Sequence, residues 1–162
     1  MQQLHSINYH NFSPDELCNY LEERYYKQIT LDFDPAKKYL IELAQSENSQ
    51  TNDLLITLFD KLELEVVQLF VKDRILLFPF VVQQQPNSIS LKPINIIHQR
   101  IITLLQKIRE LMNNYVQQPH WSSLHKICSS ELYSLEQLIH HVFYVKENFL
   151  WTRINSKMED EH

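Results

Sequence analysis

Four long segments of the chain place their apolar residues with the period of an amphipathic helix. In the last three segments these residues recur at alternating steps of four and three, as in helices that bury one face in a bundle. The three apolar stripes are Leu55, Leu58, Leu62, Val66, Leu69, Asp73, Leu76 and Phe80; Ile94, His98, Ile101, Leu105, Ile108, Met112 and Tyr115; and Cys128, Leu132, Leu135, Ile139, Val142, Lys146 and Phe149. In the first segment Leu17, Leu21 and Tyr25 share one face. The pattern predicts an all-α fold.

Capping and turn residues predict helices at about residues 14–46, 53–83, 93–116 and 121–157. Ser13, Pro14 and Glu16 have the spacing of a capping box with proline in the first turn. We expect a break or kink in this first helix near Asp34 and Pro35. Polar stretches at 46–53, 83–88 and 117–119 separate the helices, and residues 158–162 read as an acidic tail. Long helices with short connections favour an antiparallel up-down-up-down four-helix bundle, with one domain over 1–162.

Composition supports helices and excludes several classes of site. The 162 residues contain no glycine, which disfavours sheet-rich folds and excludes glycine-rich phosphate and dinucleotide loops. The net charge of −5 argues against a nucleic-acid partner. No apolar stretch approaches the length of a membrane span, so we expect no membrane association. The first ten residues lack the pattern of a secretory signal, and Cys18 and Cys128 show no metal or redox spacing, so we expect reduced core thiols in a cytoplasmic protein.

Three ionisable residues interrupt the apolar stripes, one in each of the last three predicted helices. Asp73, His98 and Lys146 stand where a bundle helix normally carries Leu, Ile or Val. A buried charge costs several kcal/mol unless it is paired or bound to a metal. Either each residue reaches solvent at the edge of its stripe, or the three face a common interior as a polar site. The spacing alone leaves both interpretations open.

Four segments, in the same order, resemble the hemerythrin-like domain of the di-iron proteins that repair iron–sulfur clusters. Leu77-Phe78-Pro79 matches a motif of the family's second helix, and His98 followed by Ile108-Arg109-Glu110-Leu111 resembles its third. Residues 140–154, with Leu150-Trp151-Thr152-Arg153, are similar to the last helix. Residues 13–26 resemble the opening helix, whose paired histidines would fall at Tyr25 and Tyr26. The resemblance implies a hemerythrin-like bundle.

The resemblance also implies a metal site that has lost most of its ligands. The family's bridging glutamates fall on Asp73 and Lys146, and the histidines four residues before them fall on Leu69 and Val142. Only His98 is retained. We therefore expect Asp73, His98 and Lys146 to form a buried polar site at the vestigial metal position, with the hydroxyls of Tyr25 and Tyr26 hydrogen-bonded to it.

Other candidate constellations are weaker. His140 and His141 are adjacent, so they point in different directions and cannot both bind a metal from one helix face. His140 could bind a metal with Tyr144 and Glu147 and further ligands from elsewhere, but the pattern is more typical of a cluster at the protein surface or at the edge of the core. No nucleophile motif accompanies the serines or cysteines, which favours a non-enzymatic protein.

Two functions from different classes remain. The favoured one is a metal-free relative that acts by binding or regulation, with no cofactor, an unspecified protein partner and an unspecified oligomeric state. The alternative is an iron-binding stress-response protein of the cluster-repair type, acting after nitric oxide or oxidative damage. It would use a reduced ligand set around His98 and Asp73.

Overall fold

The computed structural model describes residues 7–83 and 90–154, and within them the chain forms four long helices. Three of these helices contain a π-helical stretch, in which a backbone N–H bonds to the carbonyl five residues earlier. The helices are α1 (Pro14–Tyr20, π stretch Leu21–Tyr26, Lys27–Ser46), α2 (Gln50–Lys72, π stretch Asp73–Leu77, Phe78–Gln83), α3 (Lys92–Leu111) and α4 (Ser123–Val145, π stretch Lys146–Leu150, residues 151–154). The all-α prediction is confirmed. The predicted linker after Gln83, the helix end at 157 and the acidic tail lie outside the described residues.

Serine caps set the starts of three helices. The side chains of Ser13, Ser49 and Ser122 each accept a hydrogen bond from the backbone N–H three residues further on. Such caps satisfy donors that the first helical turn leaves free. They correct two predicted starts, since α2 begins at Gln50 rather than at 53 and the fourth helix begins at Ser123 rather than at 121.

Of the break or kink predicted near Asp34 and Pro35, the break is wrong, and the kink stays a prediction. The stretch Lys27–Ser46 is one α-helix with Pro35 inside it. Proline removes a single helical hydrogen bond, and the neighbouring side chains of Phe33 and Ala36 are buried in the core. Packing on both sides of the proline therefore holds the helix together.

The third helix ends earlier than predicted. It stops at Leu111 rather than near 116 and is followed by a short turn over Asn113–Tyr115. Asn113, Asn114 and Tyr115 all have positive φ, at 52°, 56° and 61°. Asparagine tolerates this left-handed region better than most residues, so Asn takes the place that glycine often has in such a turn.

Each π stretch moves the buried face of its helix by one residue. The predicted stripes are buried up to Leu21, Asp73 and Lys146, and beyond these points the neighbouring residue is buried instead. The predicted members that are only partly buried are Tyr25, Leu76, Phe80 and Phe149, and the fully or almost fully buried residues that replace them are Tyr26, Leu77, Val81 and Leu150. A widened turn holds an extra residue, which explains the same one-residue shift in three helices.

The four helices share one hydrophobic core. α2 packs against α3 and α1, and α1 also packs against α4. One continuous cluster of buried side chains draws on all four helices, with Leu17, Leu62, Ile101 and Leu135 as examples. Each of the three π stretches contributes buried residues to this core, among them Tyr26, Leu77 and Leu150.

Candidate functional site

Four polar side chains, one from each long helix, meet inside this core. Asp73 and Lys146 are the first residues of the π stretches in α2 and α4, and Tyr26 is the last residue of the π stretch in α1. His98 lies on α3, which is a regular α-helix along its length. Asp73, Lys146 and Tyr26 are 0% exposed and His98 is 3% exposed. We call these four residues the interior polar site.

The ammonium group of Lys146 is the centre of the interior polar site. Its Nζ lies 2.7 Å from Oδ2 and 2.9 Å from Oδ1 of Asp73, and 2.8 Å from Nε2 of His98. An ammonium group has N–H donors and no acceptor, so Lys146 donates one hydrogen bond to Oδ1 of Asp73 and one to His98, and its contact with Oδ2 is an ion pair. The Nε2 atom of His98 must then accept, which places the proton of the neutral ring on Nδ1.

Tyr26 completes the environment of the carboxylate. Its hydroxyl donates to Oδ2 of Asp73 at 2.5 Å, and its ring stacks on Phe70 with 3.8 Å between ring centroids. Hydrogen bonds to a charged acceptor are short and strong. Asp73 is therefore held from two sides, by an ammonium and by a phenol.

Burial and ion pairing shift the pKa values of Asp73 and Lys146 in opposite directions. Burial raises the pKa of the Asp73 carboxyl, whereas Lys146 and Tyr26 lower it. Burial lowers the pKa of the Lys146 ammonium, whereas Asp73 raises it. Lys146 donates to Asp73 and His98, and Asp73 also accepts from Tyr26, which fits an ammonium and a carboxylate, so we describe the pair as charged. Such a pair offsets the cost of burying either charge but adds little net stability.

His98 is kept neutral and is fixed in place. Burial, assisted by the neighbouring Lys146 ammonium, lowers the pKa of His98 to about 3. Its ring stacks on Phe143 at 4.2 Å and on Trp151 at 5.4 Å between centroids. The imidazole can therefore act as a fixed hydrogen-bond acceptor at neutral pH.

The structure brings Tyr26, rather than Tyr25, to the interior polar site. The ring of Tyr25 contacts Tyr20 and His141 instead, with centroids 5.8 Å and 5.0 Å apart. His141 also shares a 2.8 Å hydrogen bond with the hydroxyl of Tyr9. The spacing of the first apolar stripe pointed to Tyr25, and the π stretch turns the following residue inward.

A second polar cluster, which the sequence analysis missed, lies between α3 and α4. Glu136 is 1% exposed and pairs with Arg109. Its Oε1 is also 3.1 Å from Nε2 of His140, while its Oε2 has no hydrogen-bond partner within the described residues. The sequence does hold a signal, because Ser129, Glu136 and Phe143 recur every seven residues beside the main stripe of α4 and are all buried. His140 thus contacts Glu136 rather than Glu147.

Two surface clefts and the two cysteines lie outside the interior polar site. An open groove of about 730 Å³ between α2 and α3 and a cleft of about 450 Å³ beside Cys18 are lined by none of its four residues. Cys18 and Cys128 are free and buried, and burial raises the pKa of each thiol to about 12. Both are therefore protonated at neutral pH and unsuited to nucleophilic attack.

Within the described ranges no group of three or more His, Cys, Asp and Glu side chains is arranged to hold a metal ion. None of the described helices has an apolar stretch long enough to cross a membrane. Comparison with models of known protein families and with curated proteins gives no match to this chain. The chemistry of the interior polar site is thus the basis for a functional interpretation.

Proposed function

We propose that this protein is a metal-free, hemerythrin-like four-helix bundle that acts by binding or regulation. The observation that carries the proposal is the place of the Lys146 ammonium, between both carboxylate oxygens of Asp73 and the imidazole of His98. In the family that the sequence resembles, a metal cation would contact a glutamate at the position of Asp73 and a histidine at that of His98. In this protein the Lys146 ammonium would take the place of that metal cation.

An antiparallel up-down-up-down arrangement is part of the proposal. Only residues 47–49 separate α1 from α2, and residues 112–122 separate α3 from α4. Helices joined by short connections pack most readily as antiparallel neighbours. The packing of α1 on both α2 and α4 supports the same arrangement.

The residues present do not fit a di-iron centre. Leu69 and Val142, at the positions of the family's histidines, are fully buried and have no donor atom. A bridged iron pair needs several nitrogen and oxygen ligands, and the acceptors of Asp73 and His98 already bind an ammonium. A second cation at this distance from Lys146 would be repelled. We therefore assign no iron chemistry to this protein.

The interior polar site is suited to a structural role in such a bundle. It joins one side chain from each of the four helices, and a buried polar contact of this kind can specify the register of packed helices. The binding or regulatory function would then belong to the surface of a rigid scaffold, with no cofactor.

Metal analysis tests the proposal directly. Protein produced in iron-rich medium should contain far less than one iron per chain and show no absorption from an oxo-bridged iron pair. Two irons per chain would contradict the proposal and favour the iron-binding alternative.

A variant with restored ligands is the matched comparison. Leu69→His, Asp73→Glu, Val142→His and Lys146→Glu together should give weak iron binding, because Tyr26 still lacks a histidine's donor atom. If this variant folds and binds no metal at all, the hemerythrin-like part of the proposal fails, whatever the wild-type protein contains.

A further inference from the structure

Helix α2 has a second apolar face that the core does not use. Four aliphatic side chains between 41% and 65% exposed lie along it, namely Leu64, Val67, Val71 and Ile75. Each residue advances an α-helix by about 100°. These four therefore lie about opposite the buried Leu62, Val66 and Leu69. We call them the outer ridge.

An exposed aliphatic ridge on a helix is unusual on a face turned away from the core. Scattered exposed apolar residues are normal, but an aligned row is typical of a contact surface. The outer ridge covers about 17 Å, or three helical turns. That length suits the packing of one further helix.

The charges beside the outer ridge are arranged to complement a second copy. Glu63 and Glu65 lie toward the N-terminal end of the ridge, and Lys72 and Arg74 lie toward its C-terminal end. The pairs Glu65/Lys72 and Glu63/Arg74 have the same midpoint, between residues 68 and 69. From the helical period, Glu65 and Lys72 fall on one flank of the outer ridge. Glu63 and Arg74 fall on the opposite flank.

We propose that the outer ridge is the contact surface of a homodimer in which two α2 helices pack antiparallel. A two-fold axis through that midpoint, perpendicular to the plane of the two helices, makes the helices antiparallel. The same flank of both copies then lies on the same side of the interface. Glu65 of one copy then lies beside Lys72 of the other, and Glu63 beside Arg74. A parallel pair would instead place acid beside acid and base beside base. The charges therefore select the antiparallel pair.

Contacts within one chain hold Glu65 only weakly. Its side chain is 21% exposed and makes a long contact of 3.8 Å with Arg100 of α3. Its Oε2 is buried without a hydrogen-bond partner within the described residues, so the carboxylate turns outward from α3 to reach a second copy. The structure gives Lys72 no ion pair in the described part of the chain. Arg74 is already bound to Glu22 through two hydrogen bonds, so it contributes long-range attraction rather than a new contact.

Sedimentation equilibrium of the full chain, from about 1 µM to about 1 mM, tests the dimer, because an interface of one helix pair is small and should dissociate in this range. The mean mass should rise from monomer to dimer with concentration. Val71→Glu should raise the dissociation constant at least about tenfold. Leu31→Glu is the matched control, since Leu31 is 68% exposed on α1 and lies outside the outer ridge. A monomer at every concentration, or equal effects of the two variants, would overturn the proposal.

Charge reversal tests the antiparallel register. Glu65→Lys and Lys72→Glu should each weaken self-association, because each places like charges opposite each other on both sides of the two-fold axis. Mixing the two variants should restore dimers, since both like-charge contacts of either variant become opposite-charge contacts in the mixed pair. Fluorescence energy transfer between differently labelled variants would measure this. If the mixture associates no better than either variant alone, while circular dichroism shows both folded, the register is wrong.

Discussion

At the scale of single residues, the Lys146 ammonium donates hydrogen bonds to Asp73 and His98 in a space closed to solvent. A lone ammonium would lose its hydration there at a cost of several kcal/mol. Asp73 supplies the opposite charge, and His98 supplies a further acceptor without adding a second positive charge. The neutrality of His98 is thus a requirement of the site.

That neutrality has a measurable pH dependence. Burial and the Lys146 ammonium lower the pKa of His98 to about 3, whereas an unfolded histidine titrates near 6.5. Between these values the unfolded chain binds a proton that the folded chain does not, so stability is lost as the pH falls. From pH 7 to pH 5 this single group should cost about 2 kcal/mol.

The variant His98→Gln isolates this contribution, because glutamine can accept a hydrogen bond from Lys146 but does not titrate. Urea unfolding at pH 7 and pH 5 should show a larger loss for the wild-type protein than for the variant. Equal losses in the two proteins would mean that His98 is not buried in its neutral form.

At the scale of helices, the π stretches decide which residues reach the interior polar site. Phe78 N–H bonds to the carbonyl of Asp73, and Trp151 N–H bonds to that of Lys146, each five residues back. In α2 the stretch ends at Leu77, two residues before Pro79, which cannot donate a hydrogen bond, so a widened turn there accommodates the proline. π stretches in helices are frequent at functional sites.

The sequence allowed a correct prediction of the all-α fold. It also singled out Asp73, His98 and Lys146, because each interrupts an apolar stripe at a position of fixed helical period, and the structure brings these three together. The spacing alone left open whether they face the interior or reach solvent. Tyr26 could not be separated from Tyr25 in this way. Which of the two tyrosines is buried depends on the π stretch, and the spacing of apolar residues in the sequence does not show where a π stretch forms. Glu136 was missed because it lies beside the main stripe rather than on it.

A pair of alanine substitutions tests the shifted register of α2. Leu77 is 0% exposed and Leu76 is partly exposed, so Leu77→Ala should cost about 2–5 kcal/mol of unfolding free energy and Leu76→Ala clearly less. An unshifted α-helix predicts the reverse order. Denaturant unfolding of both variants decides between the two registers.

At the scale of the whole molecule, the interior and the surface of α2 have separate roles. One face carries Asp73 into the interior polar site, and the opposite face carries the outer ridge. A substitution such as Val71→Glu should therefore alter self-association and leave the interior unchanged. Loss of the dimer would leave the metal-free proposal intact.

The interior polar site also connects the four helices into one cooperative unit. Asp73 lies on α2, Lys146 on α4, His98 on α3 and Tyr26 on α1. Removing one charge of the pair leaves the other buried and unpaired, which weakens the bundle as a whole. Removing both charges together leaves an apolar interior that can pack.

A double-mutant cycle on Asp73 and Lys146, measured by denaturant unfolding, tests the central claim most directly. Lys146→Met should cost about 3–5 kcal/mol, because it leaves the Asp73 carboxylate buried without its partner. Asp73→Leu combined with Lys146→Met should recover much of that loss, although His98 and Tyr26 each lose a partner. If Lys146→Met changes the unfolding free energy by only a few tenths of a kcal/mol, Lys146 reaches solvent and the bundle contains no buried Asp73–Lys146 ion pair.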